Sequence, residues 1–173
     1  MVFDKEYSFQ GKHAEMVTSL TNAFGQGNHK FFEHNYDVYI LAPIIGFLYH
    51  STAELDRSSE IKPTKIFAGQ LFSNRDALVF NYRLIMLLDS QYEPDSEKRI
   101  EKAFRGQETT EDIERFESYV RGGVEKLYEK LILDCTTEDD YIAHLYDFLD
   151  EFNDRYNQTI VMDHILELCR KIK

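Results

Sequence analysis

The chain has 173 residues, enough for one domain with a sizeable core, and 43% of them are hydrophobic, which excludes a disordered composition. Its formal charge of −11 and pI near 5.0 weigh against a broad basic face that would bind DNA non-specifically. The acidity is uneven: residues 61–130 hold 12 basic against 13 acidic groups and residues 131–173 hold 4 against 10, so any nucleic-acid contact belongs in the middle.

In chain order, the N-terminus Met1–Glu6 is charged and lacks the apolar run of a signal peptide. Ala14, Val17, Leu20 and Phe24 recur at helical spacing and predict a helix over 12–24, ended by Gly25-Gln26-Gly27-Asn28. Tyr36 to Tyr49 is apolar nearly all round, which predicts a buried helix that Pro43 kinks or splits. Its apolar run is too short to span a bilayer. Residues 50–63 read as a loop with a short extended stretch near Ile61, and Thr64 to Phe72 as a short helix.

Ser73 with Asp76 three residues later predicts a cap for an apolar helix over Ala77–Leu88. Asp89 to Ser96 is a turn, and Glu97 to Arg105 a short charged helix stopped by Gly106. Thr109-Thr110-Glu111-Asp112 opens a long helix to about Leu133. Thr136 to Asp140 repeats that signal before a helix presenting Tyr141, Leu145, Phe148 and Phe152, and a last helix presents Val161, Ile165, Leu168 and Ile172. Period-2 alternation is almost absent. The expected fold is therefore all-α: a single-domain helical bundle of six to eight helices over 1–173, with sub-units 1–108 and 109–173 as the alternative division. Cys135 and Cys169 have neither zinc nor redox spacing and read as buried thiols in a reducing cytosol.

The long helix carries Gly122-Gly123 in its interior, where each glycine costs about 1 kcal/mol relative to alanine. The apolar ladder Ile113, Phe116, Val120, Val124, Leu127 and Leu131 crosses the pair without losing phase. At 100° per residue Gly123 lies at the edge of that face, whereas Gly122 lies opposite it, amid Arg115, Ser118, Lys126 and Glu129. Three readings follow: a hinge at Arg121-Gly122, close approach of another helix of the same chain, or a notch for a partner centred on Tyr119, Arg121, Gly122 and Gly123.

Two stripes offer other chemistry. Lys98, Arg99, Lys102 and Arg105 form the one basic stripe, able to meet phosphates, although Glu97, Glu101 and Glu108 beside it fit a solvated mixed-charge helix. Asp140, His144, Asp147 and Glu151 share a helical face, as metal ligands do in bundles, but ligands from further helices are lacking and a solvated acidic face is the plainer reading. Glu60-Ile61-Lys62 matches half of a nuclease site outside the strand context it needs. No P-loop, G-x-G-x-x-G, G-x-S-x-G or H-E-x-x-H occurs, and no cofactor is expected.

Three blocks taken together resemble a known family: Tyr36-Asp37-Val38-Tyr39-Ile40-Leu41-Ala42 through Gly46-Phe47, then Ile66-Phe67 with the Ala77–Leu88 helix, then Phe116-Glu117-Ser118-Tyr119 with Gly122-Gly123-Val124. Their order resembles small accessory proteins of bacterial DNA-phosphorothioation (Dnd) and related restriction systems, over residues 30–130. Pro43 and the acidic stretch after Leu133 depart from that pattern. The resemblance supplies no catalytic residues. It implies a cytoplasmic bacterial setting and a role in a DNA-modification or phage-defence complex; the absence of any reaction motif, with Gly122 on a face the core does not use, points to a non-catalytic interaction protein there, bound to a protein partner or to itself. A nucleic-acid-binding protein using the basic stripe and a metal-dependent enzyme using the acidic one are the alternatives.

Overall fold

The computed structural model describes residues 3, 5–58, 60–106 and 108–156. In order these form β1 (Tyr7–Phe9), α1 (Gly11–Thr21), α2 (Asn35–Leu48), β2 (Thr64–Ile66), α3 (Ala68–Ser73), α4 (Arg75–Leu88), α5 (Ser96–Ile100), a π-helical turn (Glu101–Arg105), α6 (Thr110–Leu131) and α7 (Glu138–Tyr156). The architecture is mostly helical, as its sequence periodicity predicts. The expected helix from Val161 to Ile172 and the thiol of Cys169 lie outside the described residues.

The core is organised around α6. Its start is set by a capping box: the Thr109 hydroxyl accepts from the Asp112 amide at 3.1 Å, and the Asp112 carboxylate accepts from the Thr109 amide at 3.2 Å. Phe116, Val120, Val124 and Leu127 are fully buried. α2 makes the most extensive contact with α6, α1 and α7 pack on other sides of it, and α4 packs on α2. In its middle, from Tyr119 to Val124, α6 is buried all round.

That arrangement accounts for the glycine pair. A Cβ on Gly123 would overlap the carbonyl oxygen of Ala42 in α2 and stand 3.0 Å from the Ala42 Cα. Gly46 on α2 makes the reciprocal approach: its Cβ would overlap the Tyr119 carbonyl oxygen and lie 3.0 Å from the Gly123 nitrogen. The two helices thus touch backbone to backbone. Gly122 does not lie on an unused face. A Cβ there would overlap the Ser51 carbonyl oxygen and stand 2.7 Å from the Thr52 Cα. After α2 the chain turns and runs along α6, with the Ala53 amide bonded to the Ser118 carbonyl at 3.0 Å and the Ser51 hydroxyl to the Gly122 carbonyl at 3.2 Å. A helical wheel misses this cover because it comes from an irregular segment.

The turn between them is a Schellman motif. The Ser51 amide bonds to the Gly46 carbonyl at 2.8 Å and the His50 amide to the Phe47 carbonyl at 3.1 Å, with His50 at φ 52°.

Other expectations change in detail. Pro43 does not split α2, which continues as one helix to Leu48. Thr64–Ile66 is a strand rather than the start of a helix, and it pairs antiparallel with β1 in the register Tyr7↔Ile66, Ser8↔Lys65, Phe9↔Thr64. β-branched Thr64 and Ile66 flank an exposed Lys65, and only Ile66 is buried, so the alternation is too short to read. Ser73 is not a cap: its hydroxyl donates to the Gly69 carbonyl, and α4 starts at Arg75. The first helix ends at Thr21, so Phe24 leaves it and stacks on Tyr141 of α7 at 4.6 Å.

Candidate interaction site

α4 is apolar on two faces. Leu78, Asn81, Tyr82, Ile85 and Met86 turn inward and are buried. The other face carries Val79, Phe80, Leu84 and Leu87, with Arg75 and Arg83 along it. Val79, Leu84 and Leu87 on that second face are half-buried, and Phe80 and Arg83 are exposed. The π-helical turn runs beside it and closes one side. Its Gly106 amide reaches back five residues to the Glu101 carbonyl at 2.7 Å, which buries Ala103 and leaves Phe104 57% exposed. The result is a groove of ≈ 600 Å³ between α4 and the turn, with Phe80 64% exposed along it. The Arg83 guanidinium lies 5.8 Å from the Phe104 ring centroid.

Two polar clusters fix the groove walls onto α6. In the first, Asp89 at the end of α4 accepts from Arg115 Nε at 2.7 Å and from the Tyr119 hydroxyl at 2.9 Å. Burial raises the Asp89 carboxyl, but those bonds outweigh it and hold it below the ordinary carboxylate range. Burial and the Asp89 charge push the Tyr119 phenol up to about 12. In the second cluster, buried Asp112 accepts from Lys102 of the π-helical turn and from the Tyr92 hydroxyl at 2.8 Å. Burial again opposes ionisation of Asp112, and the bonds from Lys102, Thr109 and Tyr92 again prevail. Arg99 of α5 ties the two walls to each other, donating to the carbonyls of Leu87 in α4 and of Glu93 and Pro94 after it.

These ties redefine the basic stripe. Arg99 and Lys102 are structural, and only Lys98 and Arg105 of the four remain exposed. Arg121 is 1% exposed: its Nε donates to the Ala53 carbonyl at 2.8 Å and its head pairs with Glu114 and Glu117. Tyr119, Arg121, Gly122 and Gly123 are all buried, so the expected partner notch is already filled by residues 51–53 and by α2.

Most members of the acidic stripe are likewise engaged in structural contacts. The Asp140 carboxylate caps α7, accepting from the Thr136 and Thr137 amides at 2.9 and 2.7 Å, and these bonds pull its pKa down. His144 Nδ1 sits 3.3 Å from the half-buried Cys135 thiol, and Glu151 accepts from Lys130 at 2.6 Å and Tyr49 at 3.2 Å. Asp147 lines a shallow cleft with His144 and Glu151. No group of three or more potential ligands among the described residues is placed to hold a metal ion. Glu60 and Lys62 are exposed ahead of β2.

Sequence reasoning missed the groove. Its signal is a second apolar stripe on the Ala77–Leu88 helix, Val79, Phe80, Leu84 and Leu87, which merges with the inner one into a helix that reads simply as strongly apolar. No helix among the described residues is long and apolar enough to cross a membrane. No protein-family model matches this chain, and neither does any curated protein or solved structure.

Proposed function

We propose that the chain is a non-catalytic helical interaction protein that works inside a bacterial DNA-modification or restriction complex, in the cytoplasm. The groove between α4 and the π-helical turn carries the interaction reading: it leaves Phe80 and Phe104 more than half exposed on walls that α6 holds rigidly. Fully burying an exposed phenylalanine is worth about 1.5–3 kcal/mol, so these two rings, 64% and 57% exposed, supply roughly 2–4 kcal/mol together. Association costs at least about 4 kcal/mol in lost freedom, so a partner has to cover more of the α4 face than the two rings.

The resemblance to Dnd-associated accessory proteins supplies the setting. In this chain its blocks fall on α2, on the end of β2 with α4, and on α6. Affinity purification of the chain from its native host tests the proposal. Stoichiometric recovery of DNA-modifying or restriction subunits, lost in a Phe80→Asp variant, is the expected result. Recovery of the chain alone overturns it.

A further inference from the structure

The surface that complements the groove is on α7 of the same chain. That helix is pinned to α6 through its inner face, by buried Phe148 and the Lys130–Glu151 pair. Its outer face carries Ile142, Tyr146 and Leu149, which are 41%, 66% and 52% exposed. They are spaced i, i+4, i+7 and form one apolar ridge, the pattern by which a helix docks in a groove. Asp139, Asp150 and Asp154 flank the ridge on one side. The groove is net positive, with Arg75 and Arg83 against the single acid Asp76 among its apolar residues.

The dimensions agree. The α4 wall from Arg75 to Leu87 runs about 18 Å, and the ridge from Ile142 to Leu149 about 10 Å, so the groove can hold the ridge with its acids toward Arg83. Because α7 is fixed with its ridge outward, that ridge reaches a groove only on another molecule.

We infer that the groove between α4 and the π-helical turn receives the α7 ridge of a second copy of this chain. This deepens the proposed function, resting on the same groove and naming an occupant for it. The contact is heterologous, with a groove on one copy and a ridge on the next, so it builds chains or closed rings. One helix in one groove buries less than a standard interface, which places association near the micromolar range, on the order of 1–100 µM.

Sedimentation equilibrium of the full chain between about 5 and 500 µM, bracketing that range, tests the inference. The mean mass rises with concentration and the rise shrinks in high salt, which screens the rim charges. Phe80→Asp, which spoils the groove, and Tyr146→Asp, which spoils the ridge, each weaken association at least tenfold. Both residues are exposed, so both variants keep the wild-type melting temperature, and Leu149→Asp serves as a second ridge variant.

An equimolar mixture of Phe80→Asp and Tyr146→Asp pairs one to one, since each supplies the half the other lacks, and grows no further. A wild-type chain that stays monomeric throughout overturns the inference, as does association that both variants leave unchanged or a mixture that fails to pair. If the native-host complex still forms and depends on Phe80 while the purified chain stays monomeric, the self-docking inference falls and the proposed function stands.

Discussion

Gly123 of α6 and Ala42 of α2 meet backbone to backbone, with no room for a Cβ between them. The contact reverses the usual effect of replacing an interior helical glycine. Alanine would gain about 1 kcal/mol from helix propensity alone. At Gly123 it would instead force two packed helices apart. We expect Gly123→Ala to destabilise the chain by about 2–3 kcal/mol net, read as a lower urea midpoint at constant slope.

Gly122→Ala carries the same sign for a different reason. Its Cβ would meet the backbone of Ser51 and Thr52, an irregular segment that yields more readily than a helix. A smaller loss, about 1–2 kcal/mol, is expected by the same denaturation experiment. A gain in stability would show that the 51–53 segment does not lie on α6.

The helix that holds this pair was legible because Thr109, Asp112 and the ladder from Phe116 to Leu131 all agree locally. The reason for Gly122 was not, because the cover comes from Ser51 and Thr52, separated from it by some seventy positions and carrying no period of their own. The same limit hid β1 and β2, three residues each, and the outer stripe of α4, whose apolar residues look like core until the inner face is seen to be full.

His50 occupies the left-handed position of the Schellman turn at φ 52° and is exposed there. Glycine avoids the Cβ penalty of that conformation. His50→Gly is expected to stabilise the chain by about 1 kcal/mol, measurable as a rise in Tm of about 2–4 °C.

Asp89→Ala removes the acceptor shared by Arg115 and Tyr119. The Asp89 carboxylate is buried, whereas the Arg115 side chain is 24% exposed and keeps part of its hydration, so the loss is expected near 2 kcal/mol, below that of a fully buried pair. The end of α4 should loosen from α6, seen as faster amide exchange at Ile85 to Asp89 than elsewhere in α4.

His13 is 1% exposed, and burial holds its imidazole below the ordinary 6.5 despite the raising pull of Glu125, 2.9 Å away. As pH falls, the unfolded chain therefore takes up this proton before the folded one. The contribution of His13 is complete above pH 6.5 and declines as pH drops through that value. Burial keeps Glu117 above its ordinary range, which acts with the opposite sign, so the wild-type curve alone does not isolate His13. Comparison with His13→Gln does: the loss of urea midpoint between pH 7.5 and 5.5 should be smaller in the variant.

The central claim is that the outer face of α4, and not the glycine pair, is where this chain meets a second copy of itself. Backbone amide shifts recorded by NMR across a dilution series of the full chain test it most directly. The account predicts concentration-dependent shifts confined to two sets, Val79 to Leu88 with Glu101 to Arg105, and Ile142 to Asp150, while Tyr119 to Val124 stay still. Shifts centred on Tyr119 to Val124, or none at either set, would contradict it.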